Sequence, residues 1–361
     1  MTEAHTARSH AKLAPSAAKR WVSCPGSIRM SEGIPNVSSV FAAEGTAAHE
    51  LCSHCLETGD DPATFLEMWI DIEAADGKSR FVNLDEPPTG ENRFFEVTEE
   101  MADAVAEYVN HVKSLMGDPD DTLVSIEEKL DMRHLHPECS GTGDATVLRI
   151  NERHLHVCDF KYGKGVAVDV DDNPQLLLYA AGAARRHHNH QIAKLTSHVI
   201  QPRASHRDGG IRTSEIDLLD LFEFEADIRA AGQRVDEATA EYTPDDAGWR
   251  KAYLAAGEWC RFCPAQAICP TRREKALSDA GVEFGDVGDL IEMTAPDELS
   301  EEKLGAILRE ADSIQNYVKA VQTFAHDRAC AGKTPKGFKL VEKRATRKWK
   351  DPEAAEEHLL V

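Results

Sequence analysis

Between residues 122 and 161 a chain that otherwise reads as helical turns into short strands, and this change limits the fold most. Leu123–Leu130, Asp144–Ile150 and His154–Lys161 are β-like runs separated by turn residues. A helix follows over Pro174–Arg186, then strands near Leu195–Gln201 and Ile211–Ile216. Helical patterns stand on both sides: 15–32, 46–57 with Thr46 as its N-cap, 96–115, 218–256 and 300–331. A strand block framed by helices implies an α/β core with helical additions.

The organisation expected is N-terminal helices over 1–57, an acidic excursion and helix over 58–121, and the strand core over 122–217. A helical, Cys-rich region over 218–299 and a long helix with a basic strand or hairpin over 300–361 complete it. Within the excursion, 58–95 reads as irregular. The 361 residues are 42% hydrophobic and 29% charged, which fits a globular protein and neither a disordered nor a membrane chain. The longest nearly apolar run, Leu176–Ala184, falls well short of the ~18 residues of a membrane span. The first residues have no apolar signal core, so a cytoplasmic location is expected.

The net charge of −22 argues at first against a nucleic-acid partner. Its distribution says more. Residues 41–130 hold 22 acidic against 5 basic side chains, whereas 331–350 hold 8 basic against 1 acidic. The acidic surface is expected to face away from any substrate channel or to bind a basic partner. The basic stripe is either a tracking surface or an edge strand guarded by lysines.

In His154-Leu-His-Val-Cys-Asp159-Phe-Lys161, Asp159 and Lys161 share the strand face of Leu155 and Val157. A carboxylate and an ammonium at the end of an apolar face are costly unless paired or bound. Asp144, in Gly141-Thr-Gly-Asp144, could reach the same end. Two converging carboxylates suit a hard divalent cation, and the lysine could orient a water or, with a lowered pKa, activate it. A solvated turn or plain ion pair is the bland alternative. Asn173-Pro174-Gln175 opens the next helix and puts Gln175 and Tyr179 on one face. His49 lies in a helix's first turn, where it is either structural or a completing metal ligand. Glu127, beside Glu128, reads as a solvated strand edge or as an extra acid.

Taken in order, Gly45-Thr46-x-x-His49, Gly-x-Gly-Asp144, Asp159-Phe-Lys161 and Gln175-x-x-x-Tyr179 resemble the RecB-like branch of the PD-(D/E)XK nuclease superfamily. The likeness covers about residues 41–180, and is nearest to phage and prophage members. It implies a restriction-endonuclease-like mixed sheet flanked by helices. It also implies Mg²⁺ or Mn²⁺ held by His49, Asp144, Asp159 and the Phe160 carbonyl, with Lys161 serving the attacking water. Gln175 and Tyr179 would support the site and its DNA contact. The activity implied is hydrolysis of DNA, as an exonuclease on free ends in phage recombination or repair.

Trp259-Cys260-Arg-Phe-Cys263-Pro-Ala-Gln-Ala-Ile-Cys269 places three thiols at metal-ligand spacing, with Cys24 the leading fourth. One cysteine before a nuclease core and three after it resembles the AddB-type and CRISPR-associated RecB-like exonucleases. That resemblance implies a structural 4Fe-4S cluster clasping the N- and C-terminal regions; zinc is the rival. Cys52 and Cys55, at helical i,i+3, read as buried small hydrophobes, as do Cys139, Cys158 and Cys330. Lys164, Lys336, Lys339, Lys343, Arg344, Arg347 and Lys348 are the candidate phosphate contacts. Partners expected are DNA and a phage single-strand-binding or recombination protein, with no membrane and with oligomerisation allowed. The competing reading is a catalytically silent DNA-binding or assembly module that keeps the fold.

Overall fold

The computed structural model describes residues 11–34, 39–73, 79–83, 92–244, 246–284 and 300–341. The chain forms two compact units, Met1–Ala265 and Gln266–Val361. The first begins with a 3-10 turn, Pro15–Ala17, and two short helices, α1 (Ala18–Ser23) and α2 (Gly26–Ser31). One continuous helix was expected here. It breaks at Cys24-Pro25, where proline offers no N–H to the helical ladder.

Helix α3 (Val40–Thr58) starts well before Thr46. Its cap is Ser39, whose hydroxyl accepts the Ala42 N–H at 3.2 Å. Thr46 is interior, and its hydroxyl donates to the Ala42 carbonyl instead. The excursion that follows is not wholly irregular. It carries a small antiparallel sheet of β1 (Trp69–Asp71), β2 (Arg80–Val82) and β3 (Phe94–Glu96), in the order β2-β1-β3. Ile70 anchors it in the core, and Asp71 is clamped by Arg93 at 2.7 and 2.8 Å. Thr98 then caps α4 (Glu99–Leu115), which buries Met101, Val105, Tyr108 and Val112 as its periodicity predicts.

The central sheet is built from β4 (Thr122–Asp131), β5 (Ser140–Arg149), β6 (His154–Phe160), β7 (Lys194–Ile200) and β8 (Ile211–Ile216). Its spatial order follows the chain. All neighbours are antiparallel except β6 and β7, which α5 (Pro174–Arg186) joins as a parallel crossover. This is a mixed α/β fold with helices on both sheet faces, consistent with the restriction-endonuclease-like arrangement.

Alternation along β6 divides the core. Leu155 and Val157 pack with Leu178 of α5 and with α6 (Leu218–Ala240), through Leu221 and Ile228. Cys158 and Phe160 pack against Ala47 and Leu51 of α3 and Val105 and Tyr108 of α4. Each fully buried leucine, valine or phenylalanine among them contributes roughly 1.5–3 kcal/mol. Further on lie α7 (Ala247–Tyr253) and a 3-10 turn, Glu258–Phe262, that carries Cys260.

In the second unit α8 (Pro270–Phe284) and α9 (Glu301–Cys330) are joined by Arg272, which donates to the Ser313 hydroxyl at 2.9 Å. After α9, residues 331–341 form turns and exposed irregular chain, where a strand was expected from Phe338. Lys336 and Lys339 are exposed there, while Lys343, Arg344, Arg347 and Lys348 lie outside the described residues. Cys330, expected to be buried, is exposed on the last turn of α9. Among the described residues no helix is long and apolar enough to cross a membrane.

Candidate active site

The end of β6 is where the polar residues gather. Asp159 is almost completely enclosed, at 2% exposed, and Lys161 leaves the strand two residues later on the same face. The Lys161 Nζ lies 3.0 Å from Asp159 Oδ1 and 2.9 Å from Oδ2. It also donates to Gln175 Oε1 at 3.2 Å. Gln175 Nε2 in turn donates to Asp159 Oδ1 at 3.2 Å and to the Tyr179 hydroxyl at 3.3 Å. The start of α5 fixes this geometry. Pro174 sits in the first turn, and the Asn173 side chain accepts the Gln175 N–H at 3.0 Å.

Gly141, in the glycine motif of β5, leaves room for the same helix. A Cβ there would come within 2.8 Å of the Pro15 ring and 3.2 Å of Tyr179. Asp144, three residues on, is held by the Phe160 N–H, which donates to its Oδ2 at 2.7 Å. Within a strand the N–H and C=O of one residue leave on the same edge. The Phe160 carbonyl therefore faces the β5 side, where Asp144 stands.

The other carboxylate oxygen of Asp144 lies 3.5 Å from His49 Nδ1, and Glu127 Oε1 lies 3.6 Å from the same nitrogen. His49, Glu127 and Asp144 thus present three ligand atoms within 4.8 Å of one another, the one such group among the described residues. The Phe160 ring meets the His49 ring edge-on, 5.4 Å between centroids.

Glu127 is the residue whose weight the sequence understated. It stands opposite Asp144 in the β4–β5 pairing, with a left-handed φ of 46° at a point where the ladder is interrupted. That conformation costs a side-chain-bearing residue about 1 kcal/mol or more and is typical of functional sites. Glu128 faces the other way and pairs with Arg186. Alternation separates the two glutamates; only the register decides which of them meets Asp144.

Electrostatics follow from burial and neighbours. Burial raises the carboxyls of both Asp144 and Asp159 above their ordinary range, and the charges of His49 and Lys161 pull against it. For His49 burial acts downward, but Asp144 and Glu127 outweigh it and push the imidazole up to about 9. Burial also opposes charge on Lys161, yet Asp159 and Asp144 hold its pKa above the ordinary lysine value. Lys161 is therefore a fixed ammonium.

A divalent cation fits these residues. The donor set is one imidazole and several carboxylates, suited to a hard or borderline ion. Asp159 Oδ2, shut off from water, lies beside Lys161 but out of line for a hydrogen bond, so it has no hydrogen-bond partner.

The cysteines divide differently. Cys52 and Cys55 are core residues of α3. Cys24, Cys260 and Cys263 are buried in the first unit. Cys24 Sγ accepts the Ala255 N–H at 3.4 Å and lies 3.8 Å from the Tyr253 carbonyl, so the N-terminal thiol reaches the segment leading into the Cys260 turn. Cys260 Sγ accepts the Gly257 N–H at 3.5 Å. Cys269 belongs to the second unit.

The acidic stretch 41–130 does not turn wholly away from the site: Glu127 is in it, and Glu44 and Glu100 lie close by. Two other residues escaped the sequence. Gln201, buried, donates to the Gly163 and Val166 carbonyls and accepts from the Val168 N–H, tying down the loop after Lys161. Arg212 bonds the Gln201 side chain at 2.9 Å. Neither carries a local motif.

The five-stranded mixed sheet and helix α3 together bring acids, a lysine and a histidine to one place, where His49, Glu127 and Asp144 could hold a metal ion. Residues 10–360 match a family model described as protein of unknown function, DUF2800. The chain belongs to that family.

Proposed function

We propose that this chain is a metal-dependent deoxyribonuclease of the RecB-like PD-(D/E)XK kind. The observation that carries the reading is the meeting of Asp144, Asp159, Lys161 and Gln175 with His49 at one end of β5 and β6. These residues come from separate segments of the chain.

His49, Asp144, Asp159 and the Phe160 carbonyl would hold Mg²⁺ or Mn²⁺, with Glu127 as a further acid. When bound, the ion supplies Lewis acidity toward a phosphodiester oxygen and its nucleophile. The protein's own part is positioning. Lys161 holds its proton and presents an ammonium to the anionic phosphoryl group and to the approaching water. Gln175 fixes both Lys161 and Asp159, so the two cannot rotate apart, and Tyr179 fixes Gln175. The Phe160 N–H keeps Asp144 turned toward His49. Exposure rises from Asp159 at 2% to His49 at 30% and Glu127 at 38%. Substrate would therefore enter from the α3–β4 side.

Wild-type protein with Mg²⁺ or Mn²⁺ should release nucleotides from labelled DNA, and Asp159→Ala and Lys161→Ala should not. If wild-type protein digests none of duplex, tailed or single-stranded DNA, the catalytic reading fails and a silent DNA-binding module takes its place. Blocking 5′ and 3′ ends separately tests the exonuclease mode.

A 4Fe-4S cluster on Cys24, Cys260, Cys263 and Cys269 is the second part of the proposal. The approach of Cys24 to Tyr253 and Ala255 supports it, and Cys269 rests on sequence spacing alone. Anaerobically purified protein should be brown and lose its colour in Cys24→Ala. Colourless protein holding zinc would replace the cluster with a zinc site.

A further inference from the structure

Beside the centre lies a second charged group that the hydrolytic reading does not use. Arg203, just past the end of β7, has its guanidinium 3.8 Å above the centroid of the Tyr162 ring and donates to the Tyr162 carbonyl at 3.3 Å. Its side chain is only 10% exposed. Lys164 stands two residues beyond Tyr162. Both cations close on one carboxylate: Glu100 Oε2 is 3.1 Å from Arg203, and Oε1 is 2.5 Å from the Lys164 ammonium. Glu44 of α3, five residues before His49, lies 3.7 Å from Arg203 on another side.

The parts differ in how firmly they are held. Arg203 is fixed by a ring and a backbone carbonyl, and its planar fork suits two oxygens of one anion. Lys164 and Glu100 are each half exposed. An exposed pair of that kind contributes little and is readily exchanged. Glu100, in the first turn of α4, keeps a favourable place at that helix's N-terminus whichever way its carboxylate turns. Its two oxygens each take one cation, as the two non-bridging oxygens of a phosphodiester would. Tyr162 directly follows Lys161, so the group borders the hydrolytic centre.

We infer that Arg203 and Lys164 form a subsite for a DNA backbone phosphate next to the one being cut, and that Glu100 plugs it in the free protein. The identity of the ligand as DNA rests on the nuclease reading. The subsite would also let a chain of net charge −22 keep a basic contact beside acids of its most acidic stretch, Glu44 and Glu100. The acids there neutralise the pair until a phosphate displaces one of them.

The test is binding without cleavage. Short fluorescein-labelled DNA, single-stranded and duplex, is titrated in EDTA over a salt series against the full chain and its variants. Glu100→Gln should tighten binding by up to about fivefold on at least one of the two DNA forms, the range expected when a weak exposed pair stops competing. Lys164→Ala should weaken binding and lower the salt slope by about 1. Glu100→Gln should give no gain in an Arg203→Lys background, because the fork that takes the phosphate is missing.

Unchanged or weaker binding in Glu100→Gln on both DNA forms overturns the subsite, as does wild-type protein that binds neither form at low salt. A lowered melting temperature in Glu100→Gln with unaltered binding would mark the cluster as purely structural, and overturn it too. The two readings fail separately. Binding that responds as stated in a protein that never cuts DNA removes the nuclease and keeps the phosphate subsite. Cutting that is indifferent to Glu100 and Lys164, with unaltered binding, does the reverse.

Discussion

Strand β6 carries two polar clusters, and they are opposites. At its far end stand Asp159 and the lysine that follows. At its beginning, on the face toward α4, a row of histidines crosses the sheet. His111 Nε2 meets His198 Nδ1 at 3.1 Å, His198 Nε2 meets His156 Nδ1 at 3.1 Å, and His154 stacks on His156 with centroids 3.9 Å apart. Burial acts on both clusters. In the row it meets no opposing charge close enough to outweigh it, and it drives His156 down to about 4 and His198 to about 3. At the candidate site Asp144 and Asp159 favour the charged form of Lys161 despite burial. Burial alone neutralises; burial beside opposite charge stores a field. The first builds structure, and the second can act on a substrate.

Breaking each cluster should therefore lose a different property. The largest effect falls on catalysis: Asp159→Ala and Lys161→Ala should cut DNA digestion by at least about a thousandfold while circular dichroism still reports a folded chain. His198→Ala should do the reverse. It leaves the buried His156 and the half-buried His111 without that partner and opens a void, costing about 2–4 kcal/mol in chemical denaturation, with activity per folded molecule unchanged. Low activity without lost stability in that variant would erase the distinction.

Acid sharpens the contrast. His156 and His198 titrate lower in the folded chain than the ordinary 6.5. The unfolded chain thus takes up protons first, and stability falls as pH drops from about 6.5 toward 4. For His156 alone this amounts to about 3 kcal/mol. The melting temperature of wild-type protein should fall steeply over that window, and that of His156→Gln less so. A smaller effect belongs to the metal. With His49 near 9 in the metal-free chain, binding must expel a proton. Mn²⁺ affinity by calorimetry should rise up to about tenfold per pH unit between 7 and 9, and Glu127→Gln should weaken it by about tenfold. A pH-independent affinity would remove His49 from the ligand set.

Local chemistry made much of this legible. The parity of Leu155, Val157, Asp159 and Lys161 set their common face, and Asn173-Pro174 marked the start of α5 to the residue. Other features needed distant partners. The break at Cys24-Pro25 was local in cause but hidden under helical periodicity. The small sheet of β1–β3 was masked because its strands are three residues each, too short to show a period. Glu127 was concealed by Glu128, since alternation says that one of the two faces Asp144 and not which.

The sequence by itself determined which residues could do chemistry, because spacing within a strand or a helix turn is fixed by backbone geometry. It fixed Asp159 with Lys161, and Gln175 with Tyr179. Only the tertiary structure decided that these pairs face each other, that Glu127 meets His49 beside Asp144, and that Arg203 and Glu100 pair next to Tyr162. Strand register, the reach of a loop tied by Gln201 and the closeness of α3 and α4 are set by packing of residues far apart in the chain. No local pattern encodes such distances. The −17 held by residues 41–130 shows the same limit. Its size is written in the sequence, but which cations its carboxylates meet is a property of the fold.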